Sequence, residues 1–341
     1  MKKQILVTGG TGYIGSHTVV ELQNAGYEVV IVDDLSNSEA KVIDQIETIT
    51  GIKPELQVFD LADRDKTQAF FKSHPGLQAI IHFAAFKAVG ESVQKPLEYY
   101  RNNLNSLLNI LECMKQYEVP NLVFSSSCTV YGQPEQLPVT EQTPRLPAES
   151  PYGNTKAICE DMIRDFCFAN KSLNGIALRY FNPIGAHPSA LIGELPVGVP
   201  NNLVPYITQT AAGIRQELSI FGSDYNTPDG TAMRDYINVV DLSKAHVVAI
   251  NRLIEQKQKS NYEFFNVGTG NGYSVMELVK AFIKSTGVNL NYKLVARRSG
   301  DIEKIWADTT LANTELGWKA EKSLEETLLS AWNWEKKVRN L

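Results

Sequence analysis

Lys3-Gln4-Ile5-Leu6-Val7-Thr8-Gly9-Gly10-Thr11-Gly12-Tyr13-Ile14-Gly15 decides the fold. Its first six residues are a β-rich run, and glycines follow at once. From Tyr13 to Ala25 the pattern is that of an amphipathic helix. A strand, a glycine turn and a helix N-terminus make an anion site, because free backbone N–H groups and the helix dipole both favour negative charge. Gly9 permits the tight turn, Gly12 lets backbone approach a pyrophosphate, and Gly15 allows close helix–strand packing. The spacing is Gly-x-x-Gly-x-x-Gly, not the commoner Gly-x-Gly-x-x-Gly. A second strand, Glu28-Val29-Val30-Ile31-Val32, ends at Asp33, at about the 20-residue offset of a ribose-binding carboxylate. An acid there repels a 2′-phosphate and so favours NAD. Asn37 and Ser38 reach the same region, and Arg is absent from this turn.

Further strand-like runs follow at Leu56–Phe59, Ala79–Phe83, Leu122–Phe124 and Ile176–Tyr180. They are apolar without polar alternation, as in strands buried on both faces of a parallel sheet. Helical stretches near 98–118 and 151–170 cover them. The alternation reads as an α/β fold: a doubly wound parallel-sheet (Rossmann) NAD-binding domain with a smaller mixed α/β substrate lobe. The expected division assigns 1–182 plus about 233–267 to the first and about 183–232 and 268–341 to the second. Past Pro183 the texture turns loop-rich. Asp241–Ile250 reads as helix and Glu263–Val267 as strand, both returning to the first lobe. Ligands in such sheets gather beyond the carboxyl ends of the strands. Asp60, Lys87, Ser127, Tyr180 and Asn182 end those runs and are expected to converge on one cleft.

Tyr152-Gly153-Asn154-Thr155-Lys156 supplies the chemistry. Ser150 suits an N-cap and Pro151 the first helical turn. Tyr152 and Lys156, four apart, then share one helix face. A free tyrosine has a pKa of about 10 and is a poor base at neutral pH. A nearby ammonium favours the phenolate. That phenolate takes a proton from a substrate hydroxyl while hydride leaves the same carbon. Ser127, at a strand end, hydrogen-bonds the same oxygen.

The 341 residues are 43% hydrophobic and 21% charged, with a net charge of −5. This is an ordinary soluble composition, and it argues against a nucleic-acid surface. Cys113, Cys128, Cys159 and Cys167 show no metal spacing and read as free thiols of a reducing compartment. Neither a signal-peptide pattern nor a membrane-length apolar stretch is present, so the expected location is the cytoplasm.

With these residues stated, the chain resembles the extended short-chain dehydrogenase/reductase superfamily, and within it the UDP-glucose 4-epimerase family. The resemblance runs nearly end to end. Its most specific stretches are 84–92, 125–132, 179–187, 200–206, 233–237 and 297–301. It implies that Lys87, Asn102 and Lys156 hold the ribose and nicotinamide side of NAD, with Phe83, Ala84 and Tyr180 lining it. Asp33, Asn37, Asp60 and Leu61 line the adenosine half. Asn182, Asn202, Leu203, Arg234, Arg298 and Asp301 hold UDP, with Phe221 against uracil. Arg234 and Arg298 are the forked donors a diphosphate wants.

The implied cycle removes the C4 hydroxyl proton through Tyr152, turns a 4-keto sugar over, and returns hydride to its other face. It requires NAD to stay bound, with no net redox consumption. It also requires a tight grip on UDP and a loose grip on the hexose. Ile305 occupies a position that ranges in relatives from Tyr, which crowds the C2 substituent, to small residues. Its intermediate volume implies UDP-glucose and UDP-galactose as the main pair, with some turnover of UDP-N-acetylhexosamines. Relatives are commonly homodimers through helices like 98–118 and 151–170. Leu104, Leu107, Leu108 and Leu111 suit such a contact and equally suit core packing. His82, His187 and His246 are read as packing or hydrogen-bonding residues.

Three rivals are weighed. A nucleotide-sugar 4,6-dehydratase eliminates water across C5 and C6, which needs an acid and a base near C6. Relatives with that activity carry an Asp-Glu pair where this chain has Cys128-Thr129. A UDP-uronic acid decarboxylase fits 182–203 and 297–301 less well. A silent NAD-binding protein would lack the Tyr or the Lys, and both are present.

Overall fold

The computed structural model describes residues 3–297 and 302–341. The first part of the chain alternates strand and helix. It runs β1 (Gln4–Thr8), α1 (Tyr13–Asn24), β2 (Glu28–Asp33), α2 (Val42–Thr50), β3 (Glu55–Val58), α3 (Arg64–Ser73) and β4 (Leu77–His82). Next come α4 (Val89–Gln94), α5 (Pro96–Gln116), β5 (Asn121–Ser125), α6 (Pro151–Ala169) and β6 (Asn174–Tyr180). Then follow β7 (Asn182–Ile184), α7 (Leu203–Ala211), β8 (Leu218–Phe221), β9 (Met233–Arg234), β10 (Tyr236–Asn238), α8 (Val239–Ile254) and β11 (Tyr262–Val267). The remainder is β12 (Tyr273–Ser274), α9 (Val275–Thr286), β13 (Tyr292–Val295), β14 (Lys304–Ile305) and α10 (Leu324–Arg339).

Seven strands form one sheet in the order β11-β6-β5-β4-β1-β2-β3, and every pairing is parallel. Alternate residues of its apolar runs enter opposite faces. Ile5, Val7, Ile31, Ile81, Val123 and Ile176 join the core beneath α1, α2 and α8. Leu6, Val30, Ile80, Leu122, Phe124 and Ala177 join the core beneath α3, α5 and α6. Two buried faces explain why the strands lack polar alternation. The doubly wound α/β class expected from the sequence is what forms. Element ends move by a few residues. β4 stops at His82 rather than Phe83, and the helix expected at 98–118 begins at Pro96, whose ring suits a first turn.

The strand order reverses between β1 and β4, which opens a crevice at their carboxyl ends. Beyond it a third apolar cluster joins Ile184, Val204, Ile207, Leu218, Leu278, Phe282, Leu328 and Trp332. A fourth, with Val130, Tyr131, Val139, Phe181, Ile305 and Ala307, lies where the turn after β5 meets β14.

Three buried histidines make the fold acid-sensitive. His82 Nδ1 lies 2.7 Å from Thr8 Oγ1, His246 Nδ1 lies 2.9 Å from the Leu242 carbonyl, and His17 Nδ1 lies 2.7 Å from the Tyr13 carbonyl. Burial lowers His17 and His82 to about 3 and His246 to about 4. The unfolded chain therefore binds three protons from about pH 6.5 downward that the folded chain refuses until about pH 3–4. Stability is lost as pH falls through that window, by about 2 kcal/mol per histidine at pH 5. Urea unfolding at pH 7 and pH 5 checks this. An unchanged midpoint would show that the imidazoles are not held neutral.

Candidate active site

The glycine turn sits in the crevice and has no room for side chains. Gly9 has φ +68°, and a Cβ on it would lie 2.8 Å from the Ala84 nitrogen. A Cβ on Gly15 would lie 2.1 Å from the Gly9 carbonyl oxygen. Gly12 is the N-cap of α1 and offers no side-chain cap. Among the described residues, no group accepts from the amides of Tyr13 and Ile14. A cradle of unpaired N–H groups on a helix dipole fits a pyrophosphate.

Asp33 ends β2 and is buried. Its carboxylate accepts from Thr11 N–H at 3.1 Å, Leu35 N–H at 2.9 Å and the Ser38 hydroxyl at 3.2 Å. It is thus no surface acid: it fastens the glycine turn, and lone pairs remain for ribose hydroxyls. Asn37 is exposed beside it. Asp60 is exposed and accepts from Ala62 N–H at 2.8 Å, while Leu61 is buried and accepts from Asn109 Nδ2 at 2.8 Å. Phe83 and Ala84 follow β4, where Ala84 N–H donates to Thr8 Oγ1 at 3.3 Å.

Lys87 is exposed on the next loop, and Asn102 is half-buried on α5. The sequence reading missed Asn103. This buried amide accepts from Phe86 N–H at 2.8 Å and donates to Thr155 Oγ1 at 3.0 Å. It ties the Lys87 loop to α6 one residue before Lys156. Only a polar residue in an otherwise apolar helix stripe could have signalled it.

Ser150 caps α6 by accepting from Gly153 N–H at 3.2 Å, with Pro151 in the first turn. Tyr152 and Lys156 are then buried together against the end of β5. Lys156 Nζ donates to the Ser125 carbonyl at 2.7 Å and lies 5.9 Å from the Tyr152 ring centroid. Ser127 accepts from Thr129 N–H at 3.2 Å and lies near the Tyr152 phenol, which it helps to ionise. Tyr180 ends β6, its hydroxyl 2.7 Å from Ser125 Oγ.

The sequence led to the expectation that Lys156 lowers the Tyr152 phenol. Within the protein the net direction is opposite. Burial pushes Tyr152 far above the ordinary tyrosine range, the neighbouring Tyr180 adds to this, and the Ser127 hydrogen bond opposes it. Burial also lowers Lys156 to about 8, against smaller opposing effects of Cys159 and Glu160. Desolvation penalises both charged forms, so this pair resists ionisation until opposite charge arrives.

On the far side of the crevice, Asn182 N–H donates to the Asp235 carbonyl at 3.0 Å. Arg234 lies in β9 between β12 and β14, with Ile305 directly opposite. Its guanidinium donates to the Met233 and Glu303 carbonyls at 2.8 and 3.4 Å. Neither Asp235 nor Asp241 pairs with it among the described residues. Asp235 is instead a buried clamp, accepting from Thr269 N–H at 2.9 Å, the Thr269 hydroxyl at 2.7 Å, Gly270 N–H at 3.1 Å and Ala307 N–H at 3.3 Å.

Asn202 stands at the N-cap position of α7 without a side-chain cap, Leu203 begins the helix, and Phe221 is exposed at the end of β8. Ile305 is buried to 2% exposure among Tyr131, Val139 and Phe181, with Cys128 packed against the same cluster. Arg298 and Asp301 lie outside the described residues. No described group of three or more His, Cys, Asp or Glu side chains is placed to hold a metal. No described helix is long and apolar enough to cross a membrane.

Comparison with known proteins decides which chemistry this arrangement belongs to. A family model described as GDP-mannose 4,6 dehydratase matches residues 6–330. UDP-glucose 4-epimerase of Bacillus subtilis is 50% identical over 97% of this chain and 96% of its own. The Stenotrophomonas maltophila UDP-glucose-4-epimerase structure, with bound NAD and formylated UDP-arabinopyranose, has a TM-score of 0.95 at 46% identity and covers 99% of both chains. The Bifidobacterium longum UDP-glucose 4-epimerase, in complex with NAD+ and UDP, has a TM-score of 0.94 at 45% identity, again over 99% of both.

The chain belongs to the UDP-glucose 4-epimerase family. The family model's description names a dehydratase, and the residues after Ser127 separate the two chemistries. Cys128 and Thr129 open the short 3₁₀ turn Cys128–Tyr131. Burial pushes the Cys128 thiol up to about 12, so it is neutral at ordinary pH. Neither residue supplies the acid–base pair that elimination needs, in keeping with the epimerase family's exchange of hydride at one carbon and of a proton at its oxygen.

Proposed function

We propose that this chain inverts C4 of UDP-glucose and UDP-galactose, in both directions, through a 4-keto sugar and on tightly held NAD. The placement of Tyr152, Ser127 and Lys156 beside the glycine crevice carries this reading. Gly9, Gly12, Tyr13, Ile14 and Gly15 would hold the pyrophosphate of NAD. Asp33, Asn37, Asp60 and Leu61 would line its adenosine half. Phe83, Ala84, Lys87, Asn102, Lys156 and Tyr180 would line the nicotinamide half. Asn182, Asn202, Leu203, Phe221, Arg234, Arg298 and Asp301 would hold UDP. The corresponding division is a cofactor domain of 1–182 with about 233–267, and a nucleotide-sugar lobe of about 183–232 with 268–341.

Bound NAD supplies the acceptor, and later the donor, of the C4 hydride. Tyr152 moves the matching proton at O4, and Ser127 shares its hydrogen bond with that oxygen. Lys156, fixed by the Ser125 carbonyl, favours the phenolate. Charged and amide groups crowd the UDP side, and apolar residues such as Ile305 and Cys128 border the hexose side. A firmly held nucleotide and a loosely held ring let the ketone present either face.

Leu107 and Leu111 are buried in the core and Leu104 packs against it, whereas Leu108 is exposed on α5, with Leu97 on the same helix and Phe168 on α6, which supports a homodimer through α5 and α6. A cytoplasmic setting goes with the four free thiols.

The test is conversion of UDP-galactose to UDP-glucose by purified protein with no NAD added. Turnover supports epimerisation on retained cofactor. Recovery only with added NAD keeps the chemistry and rejects tight retention. No turnover either way rejects the reading. Ile305 sets the substrate range: wild-type protein should turn over UDP-N-acetylglucosamine slowly, and Ile305→Tyr should suppress this while sparing UDP-galactose. No activity on UDP-N-acetylglucosamine in the wild type would reject the side activity.

A further inference from the structure

Asn is among the best N-cap residues because its side-chain oxygen accepts from the first free amides of a helix. Asn202 is the N-cap of α7 and does not cap it. Its Nδ2 donates instead to Glu194 Oε1 at 2.5 Å. The same oxygen lies 3.7 Å from Lys87 Nζ. One carboxylate oxygen thus joins a residue of the loop after β4 to the first turn of α7. Lys87 stands on the proposed NAD side, and Asn202 on the proposed UDP side.

Glu194 is itself held in place. The Trp334 indole N–H donates to its carbonyl at 3.0 Å. Gly193 packs so closely on that ring that a Cβ would come within 2.5 Å of it. Ala186 pairs with Gly193 across the same segment, and Ala186 N–H donates to Ser330 Oγ at 3.0 Å. From the other side, the Tyr13 hydroxyl donates to the Gly185 carbonyl at 2.7 Å. The segment is braced between α10 and the start of α1, beside the glycine turn. Its carboxylate is 11% exposed, whereas Lys87 is 51% exposed. The anchor is buried and braced, and the lysine it faces is half in solvent.

We infer that Glu194 is a positioning residue: it turns Asn202 away from its cap and toward UDP, and holds Lys87 at the junction of the cofactor and nucleotide sites. This rests on the proposed nucleotide-sugar reading. The charge matters to the Lys87 arm, and the acceptor oxygen matters to the Asn202 arm. The two can therefore be separated.

The experiment is a double-mutant cycle read by calorimetric titration of the NAD-containing protein with UDP. Glu194→Ala should weaken UDP about tenfold, as loss of a charge-assisted hydrogen bond does. In an Asn202→Ala background the same change should cost less than twofold. Glu194→Gln keeps an acceptor oxygen and should hold UDP within about twofold of wild type. It should nonetheless release NAD faster on dilution into salt, an effect that disappears in a Lys87→Met background. Equal loss of UDP affinity in both Asn202 backgrounds would overturn the proposal, as would Glu194→Gln behaving like Glu194→Ala. Failure of the unaltered protein to bind UDP would instead overturn the nucleotide-site reading, and this proposal with it.

Discussion

Replacing Tyr152 by Phe should lower kcat for UDP-galactose by about 10³-fold, the scale of a lost positioned acid–base group. The change removes one oxygen and leaves the ring packed where it is. UDP affinity and the retained nicotinamide should be unaltered, because Tyr152 contributes neither charge nor N–H to the glycine turn or to the Arg234 side. KM should stay within about threefold, so the loss falls on kcat. The pH profile adds a second check. Burial holds the phenol protonated in the protein alone and lowers Lys156 to about 8. Lys156 supports the phenolate only while it is charged, so wild-type kcat should fall as pH rises above about 8. A Tyr152→Phe enzyme with more than a tenth of wild-type kcat would remove Tyr152 from the chemistry.

Glu160→Ala should destabilise the fold by about 3–5 kcal/mol, the cost of breaking a buried ion pair from one side. Glu160 and Arg179 side chains are only 2% and 5% exposed, with Nη2–Oε2 at 2.6 Å and Nε–Oε1 at 2.9 Å. Ser126 donates to the same carboxylate at 2.5 Å, and Arg145 lies 3.6 Å from it. Its removal leaves Arg179 buried and unpaired beside Tyr131, whose hydroxyl Arg179 also contacts at 3.0 Å. Removing both charges should be far milder: Glu160→Met with Arg179→Leu should recover most of the lost stability. Urea unfolding of the single and the double variant measures this. A single-variant loss below about 1 kcal/mol would mean water reaches the pair.

Glu160 stands one helical turn beyond Lys156, and Ser126 adjoins Ser127. The pair thus fixes the helix carrying Lys156 and the strand end carrying Ser127 to a common point. Sequence reading did not identify it. A glutamate in a helix and an arginine in a strand are ordinary residues until β6 and α6 bring them together.

The same division runs through the whole molecule. Local rules made the glycine turn, the Asp33 strand end and the Tyr152–Lys156 face legible. Each depends on φ freedom, on the step of a helix, or on strand periodicity over a few residues. The parallel sheet was legible because strands buried on both faces must be apolar on both. Asp235, Glu194 and Asn103 were not legible. The partners of Asp235 lie far along the chain, Thr269 being 34 residues from it and Ala307 72. Motif spacing does not report which distant amides meet one carboxylate.

Electrostatic direction was the other thing the chain alone misjudged. Sequence placed an ammonium beside a phenol and suggested that charge would govern. The tertiary structure buries both groups against the end of β5, where loss of water is the largest influence on each in the protein alone. Covalent order determined which groups can meet within a turn of helix. Packing of distant segments decided which of them keep water, and so which form, charged or neutral, each group holds.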